Sequence, residues 1–305
     1  MQLAGEVTID GASEDASFGR TAAYWDDFSA RHSESGLNTN RSEWQGHPAN
    51  LLRRSRSLKG SADYQWLSSK FPHRIERALG AGCGVADFEL RLLESGAVEH
   101  FDLFDVSAGS LEIARRGAER LGLSDRVTFH QNDMFSATGS YGLVTFIGSL
   151  HHALDVPEAV RFAHDVLEPG GLLYGDEYIG PRRFDYPPEH SELAKSLYRS
   201  LAPELRSPWP ELPQPDPKDV AVADPTEAVQ SDLIMGELNR QFAEVDPVPQ
   251  HGALVFMLWW GLNHDALWDT QLGREFASLL FEFDEALALS GRLPNYFTLV
   301  SARRE

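Results

Sequence analysis

Cysteine is almost missing: Cys83 is the one thiol in 305 residues. A single thiol excludes an internal disulfide and any zinc site built from thiolates. Basic residues are scarce beside acidic ones, 27 Lys and Arg against 46 Asp and Glu, a formal net charge of −19. Phosphate contacts need a basic face, so this balance argues against a nucleic-acid partner and against docking on anionic lipid. Long apolar runs are missing too. The longest, from Ala253 to Leu262, is about half of the roughly 20 residues that cross a bilayer. Residues 1–20, MQLAGEVTIDGASEDASFGR, lack the basic start and apolar core of a secretion signal. We therefore expect no nucleic acid, no membrane, no metal and a cytoplasmic location.

What is present is an ordinary globular composition, 42% hydrophobic and 24% charged. It suits one large α/β domain or two small ones. Residues 1–20 read as a flexible tail. Residues 21–70 carry spaced aromatics (Tyr24, Trp25, Phe28, Trp44, Tyr64, Trp66) and read as short helices with loops. From Ile75 to Tyr178 the pattern alternates. Strands are expected at 75–81, 100–106, 126–131, 142–147 and 171–178, with helices at 87–95, 107–121 and 156–167 between them. Ser107 is placed to cap the second of these helices. Such alternation with short connections means a parallel sheet covered on both faces. Residues 180–225 break the pattern, and 207–225 is too proline-rich for a regular element. Such an excursion inside a domain is usually a lid or disordered. Helix is expected at 226–241 with Asp224 or Thr226 as cap, a short strand at 242–245, helices at 254–262 and 272–289, and a closing strand at 295–304.

The segment RALGAGCGVADFEL at 77–90 follows a strand and opens a helix. Gly82 and Gly84 let the backbone turn tightly and approach a ligand. Asp105 ends the next strand, where a carboxylate can accept from both hydroxyls of a ribose. Asn132 and Asp133 end the third, where an acidic or amide side chain can accept from an adenine amino group. All lie at the carboxyl ends of neighbouring strands, the ligand crevice of open α/β sheets. A nicotinamide-type turn would place a third glycine where Asp87 stands, so a dehydrogenase is disfavoured. Cys83, inside the turn, reads as a small residue that fits there rather than a nucleophile.

The set GAGCG, FDVS, QNDMF, GSLHHALD and LEPGGLLYGDEY resembles the class I S-adenosylmethionine-dependent methyltransferases of the small-molecule type. WQGHP at 44–48, DPTEAVQSD at 224–232 and the closing RLPNYFTLVSARR resemble one branch of them. The resemblance implies an α/β, Rossmann-like sheet of seven strands in the order 3-2-1-4-5-7-6, strand seven antiparallel, with helices on both faces. It implies S-adenosyl-L-methionine held by Gly80, Ala81, Gly82, Gly84, Asp105, Val106, Asp133, Met134, Gly148 and Ser149. It places His151 and His152 between cofactor and acceptor, one of them as a base, with Glu177 beside them. Tyr24, Trp25 and Tyr178 would contact a small-molecule acceptor. The methyltransferase domain would run over 71–305, residues 21–70 forming a helical lid and about 180–240 a lid insert.

The chain departs from the family pattern at three places. Gly80 stands where an acidic residue is usual, Ala86 replaces the third glycine of the turn, and Gly142 replaces an aspartate. Glu89, one turn into the helix, is the candidate to compensate for Gly80. These departures keep a second expectation open: a relative that is catalytically idle or turns the bound cofactor to chemistry other than methyl transfer.

Overall fold

The computed structural model describes residues 21–26 and 44–305; the tail expected at 1–20 and the aromatic Phe28 lie outside the described residues. Seven strands form one sheet: β1 Ile75–Ala81, β2 Val98–Asp105, β3 Val127–Gln131, β4 Tyr141–Ile147, β5 Leu167–Tyr178, β6 Glu244–His251 and β7 Phe297–Arg303. Their order is β3-β2-β1-β4-β5-β7-β6. β7 runs antiparallel to both β5 and β6. This is the order and the single reversal that the resemblance implies.

Side chains alternate across a strand, and both faces here are apolar. Ala78, Leu143, Leu172 and Leu299 enter one buried cluster with Phe88, Leu92 and Leu111 from the helices Asp87–Ser95 and Ala108–Leu121. Their neighbours Leu79, Val144, Leu173 and Val300 enter the opposite cluster with Val156, Val160, Ile234 and Leu238, from the helices Val156–Val166 and Ile234–Gln241. A sheet covered on both sides gives the near-continuous hydrophobic strands seen in the sequence. A third cluster, rich in aromatics, joins Trp44, Tyr178, Phe184, Tyr198, Leu254 and Phe281. It brings the segment after β5 against the helices Ala253–Trp259 and Gln271–Leu289.

Several expected boundaries move. The strand expected at 242–245 is β6, Glu244–His251, eight residues long although it contains Pro247 and Pro249. It is the outermost strand, paired on one side only, so a proline that donates nothing to the ladder is tolerated. β5 begins at Leu167, and its pairing with β4 shifts register between Tyr141 and Leu143, so the LEPGG segment lies in the strand. The proline-rich run contains a helix after all, Pro217–Ala223, with Pro217 in the first turn and the Asp216 side chain capping Lys218 N. Both positions suit these residues, because the first helical N–H groups lack intrahelical partners. The helix Pro188–Ser200 also lies in a stretch where no regular element was expected.

The helix expected from 226 starts only at Ile234, after a short 3-10 turn at Ser231–Leu233. Asp224 does cap, but it caps a turn. Its Oδ1 accepts from Thr226 N at 2.8 Å and from Thr226 Oγ1 at 2.7 Å. Ala228 then takes a positive φ of 49°. Short polar side chains that bond their own backbone compete with helix in this way. The result is a fixed loop at 224–230, and it faces the carboxyl end of β4.

Candidate functional site

Five strand tips build the site. After β1, Gly82 and Gly84 hold φ of 61° and 53°. A Cβ on Gly82 would stand 2.8 Å from Ser149 Cβ, so the turn and the β4 tip approach as closely as glycine permits. Ala86 keeps the left-handed conformation, φ 57°, that a third glycine would adopt without strain. Cys83 is buried, and burial together with nearby Asp105 and Glu89 pushes its thiol well up, so it is not a ready nucleophile.

At the β2 tip, Asp105 receives Gly84 N at 2.7 Å on one oxygen and Ser107 N at 2.8 Å on the other. Burial raises its pKa, against the pull of those bonds. Val106 follows it, half-buried. A second carboxylate, Asp26 of the helical stretch at 21–26, accepts from Ser107 Oγ at 2.6 Å and Gly109 N at 2.9 Å. Sequence reasoning missed Asp26, because nothing in the sequence marks a carboxylate 81 positions from its partner. After β3, Asp133 is exposed and caps the short turn Met134–Ser136 through Phe135 N, while Met134 packs on the second sheet face. Gly148, φ 63°, opens the β4 tip and donates to Asp176 O at 2.8 Å.

Ser149 joins this crevice to the histidines. Its hydroxyl donates to Ala81 O at 2.6 Å and its N–H to Glu177 Oε1 at 2.9 Å. Glu177, 1% exposed, also accepts from Leu150 N, from His151 N and, at 2.6 Å, from His151 Nδ1. Strand alternation puts Glu177 here and sends Asp176 to the other side, where it pairs with Arg54 at 2.6 Å. The rings of His151 and His152 lie 4.3 Å apart, and Trp25 meets His152 edge-on at 5.2 Å. Tyr24 in turn packs edge-on against Trp25.

Burial lowers the His151 pKa, but the bond and charge of Glu177, with Glu227 and Asp224, outweigh it and leave it raised. Burial and the neighbouring His151 lower that of His152. Tyr178 is buried, and its hydroxyl donates to Pro181 O at 2.9 Å. Its ring lies 6.2 Å from that of His151, inside the aromatic cluster.

The Glu89 side chain lies beside Gly80 in space. A Cβ at Gly80 would stand 2.7 Å from Leu103, its partner across the β1–β2 pair, and 3.4 Å from Glu89 Cγ. Glu89, 1% exposed, is bonded by Thr145 Oγ1 at 2.9 Å. Burial lifts its pKa to about 7. Between pH 4.5 and 7 the folded chain holds a proton that the unfolded chain has lost, so stability falls as pH rises through that window. Glu89→Gln is therefore expected to raise stability at pH 8 by about 3 kcal/mol and to add little near pH 4.5. Denaturant titration at the two pH values checks this; an equal gain at both would place the carboxylate in an unperturbed setting.

The turn fits an adenosyl cofactor by its own geometry: a positive-φ cradle that a Cβ would fill, beside an acidic strand tip. The sheet order is that of the class I methyltransferase fold, and the crevice lies where the resemblance implies a cofactor. Comparison with known proteins agrees. Residues 78–171 match the family described as Methyltransferase domain. The ubiquinone biosynthesis O-methyltransferase of Methylocella silvestris is 32% identical over 101 residues, 32% of this chain and 38% of that protein. A demethylmenaquinone methyltransferase of Bacteroides fragilis is 25% identical over 122 residues, 39% of this chain and 49% of that protein. The chain thus spans about half or less of the length of the curated relatives it matches. A geranyl diphosphate methyltransferase, solved with its diphosphate and sinefungin, superposes with a TM-score of 0.55 at 14% identity, over 94% of this chain and 99% of that one. That likeness concerns the fold.

Proposed function

We propose that this chain transfers a methyl group from S-adenosylmethionine to a small-molecule acceptor. Ser149 carries the reading: one residue binds the glycine turn through its hydroxyl and the Glu177–His151 pair through its N–H. The cofactor end and the acceptor end are thereby fixed to each other, which in-line displacement at a sulfonium carbon requires. When bound, the cofactor supplies an activated methyl group. Gly80, Ala81, Gly82 and Gly84 would give it close backbone approach, Asp105 and Val106 would meet its ribose, and Asp133 and Met134 its adenine. Gly148 and Ser149 would border its methionine end, where Glu89 takes the role left open at Gly80. His151 and His152 face the acceptor and activate it, and Glu177 positions His151. Trp25 and Tyr24, with the insert at about 180–240, cover the acceptor, and Tyr178 supplies the wall behind His151. The net charge of −19 favours a metabolite over a nucleic acid as acceptor.

Calorimetry with S-adenosylhomocysteine, followed by incubation with methyl-labelled S-adenosylmethionine and an extract of small metabolites, tests the reading. Binding and label in a small product are expected. Absence of binding would sink it. Binding without label in any product would favour the second reading, a cofactor-holding protein that does not transfer methyl, for which the departures at Gly80, Ala86 and Gly142 speak.

A further inference from the structure

We infer that His151, His152 and Glu227 form a binding site for a first-row divalent transition-metal ion, with Glu177 and Asp224 as its outer carboxylates. The three residues each offer one ligand atom, and those atoms lie within 4.8 Å of one another. No metal was expected from the sequence, and Glu227 sits in a segment that read as helix. The turn at 224–230 instead carries it to the histidines.

The hydrogen bonds set the tautomers. Glu177 can only accept when ionised, so His151 Nδ1, 2.6 Å away, donates, and in the neutral imidazole, the form that binds metal, its Nε2 is left with a lone pair. Thr226 Oγ1 already donates to Asp224, so at 3.2 Å it accepts from His152 Nδ1, and the Nε2 of His152 likewise keeps its lone pair. Both lone pairs face one carboxylate: His151 Nε2 is 3.6 Å from Glu227 Oε1 and His152 Nε2 is 3.8 Å from Glu227 Oε2. With both imidazoles neutral, three acceptors therefore converge with no proton donor among them. These separations are long for hydrogen bonds. They are close to the ~3.4 Å between two ligands that bind one ion at about 2.1 Å in tetrahedral array.

The surroundings match. A metal-bound histidine usually gives its other ring N–H to a carboxylate or another oxygen acceptor. His151 does so to Glu177 and His152 to Thr226, which Asp224 holds. Asp224, its side chain 4% exposed, has a second oxygen, Oδ2, that no hydrogen bond satisfies, and it lies 3.5 Å from His152 Nδ1. Glu177, Asp224 and Glu227 bring three carboxylates to the cluster. The nearby Arg183 guanidinium is spent on the carbonyls of Asp224, Pro225 and Glu227. Three negative charges against that one cation leave room for two positive charges. Two imidazoles and one carboxylate suit a borderline divalent ion such as zinc, whereas magnesium and calcium prefer all-oxygen sites. Such a set leaves coordination positions open, and an acceptor hydroxyl taking one would lose its proton more readily.

The test uses the full chain, stripped with a chelator and titrated with Zn2+ by calorimetry and with Co2+ by visible absorption, both without S-adenosylmethionine. It is thus independent of the methyl-transfer reading. One equivalent of Zn2+ is expected per chain, with cobalt bands of a four- or five-coordinate site. Glu227→Gln and His152→Ala should each weaken binding by about a hundredfold or more, with S-adenosylhomocysteine affinity retained. Asp224→Asn should weaken it by roughly tenfold to a hundredfold. If His152→Ala does not fold, Glu227→Gln decides alone, since the Glu227 side chain is 21% exposed. Failure of both ions to bind the parent chain, or binding left unchanged by Glu227→Gln, overturns the site.

Discussion

Replacing Glu177 with alanine is expected to lower the free energy of unfolding by about 3–5 kcal/mol. Three backbone N–H groups, of Ser149, Leu150 and His151, and the His151 ring end on this one carboxylate. Its side chain is fully buried, so water cannot take over as acceptor, and each orphaned donor costs about 1–3 kcal/mol. For a domain of this size the loss corresponds to a fall in Tm on the order of 10 °C. Glu177→Gln keeps one acceptor oxygen and should lose less than half as much. Thermal melts of the two variants check the expectation. Equal, small losses would mean that the 149–151 turn is held by something other than Glu177.

The second large effect concerns binding. Asp105→Ala removes the acidic tip of β2, which by our reading accepts from both ribose hydroxyls. Hydrogen bonds to a charged group contribute roughly 1.5–3 kcal/mol each, so losing two should lower the affinity for S-adenosylhomocysteine by about a hundredfold or more. The variant also frees Gly84 N and Ser107 N, and a destabilisation of about 1–2 kcal/mol should accompany it. Methylthioadenosine, which has the ribose but no amino acid, should suffer the same loss. Glu89→Gln should weaken S-adenosylhomocysteine and leave methylthioadenosine unaffected, because the proposed partner of Glu89 is the ammonium of the methionine part. Calorimetry of two ligands against two variants thus separates the ribose end from the methionine end. Unchanged affinity in Asp105→Ala would remove the ribose assignment and the strand register that supports it.

Much of this was legible in the chain because the signals are local. A parallel sheet buried on both faces writes itself as short apolar runs, and the helices between them show their period. Glycines that must take positive φ stand in a row at the β1 tip. Asp105 follows from counting one strand onward. Ser107 as a cap is visible from the helix it precedes, and the structure bonds it to Ser110 N at 3.0 Å. The less legible elements are those whose stability is tertiary. Pro247 and Pro249 speak against a strand unless one knows that β6 is an edge. Pro217 speaks against a helix unless it falls in the first turn.

The sequence by itself determined the sheet, its order through the family resemblance, and the crevice at the strand tips, because each rests on residues a few positions apart and on strand-by-strand periodicity. The tertiary structure alone decided what stands opposite the histidines. Asp224 and Glu227 are more than 70 residues from His152. They reach it only because Asp224 turns its own backbone back at Thr226 and Ala228, and because Arg183 gathers three carbonyls of that loop. Likewise Gly80 reads in the sequence as a lost carboxylate. In space, a side chain there would crowd Leu103, and the Glu89 side chain reaches beside it from the neighbouring helix. Such pairings are set by chain closure and packing, and no spacing along the sequence encodes them.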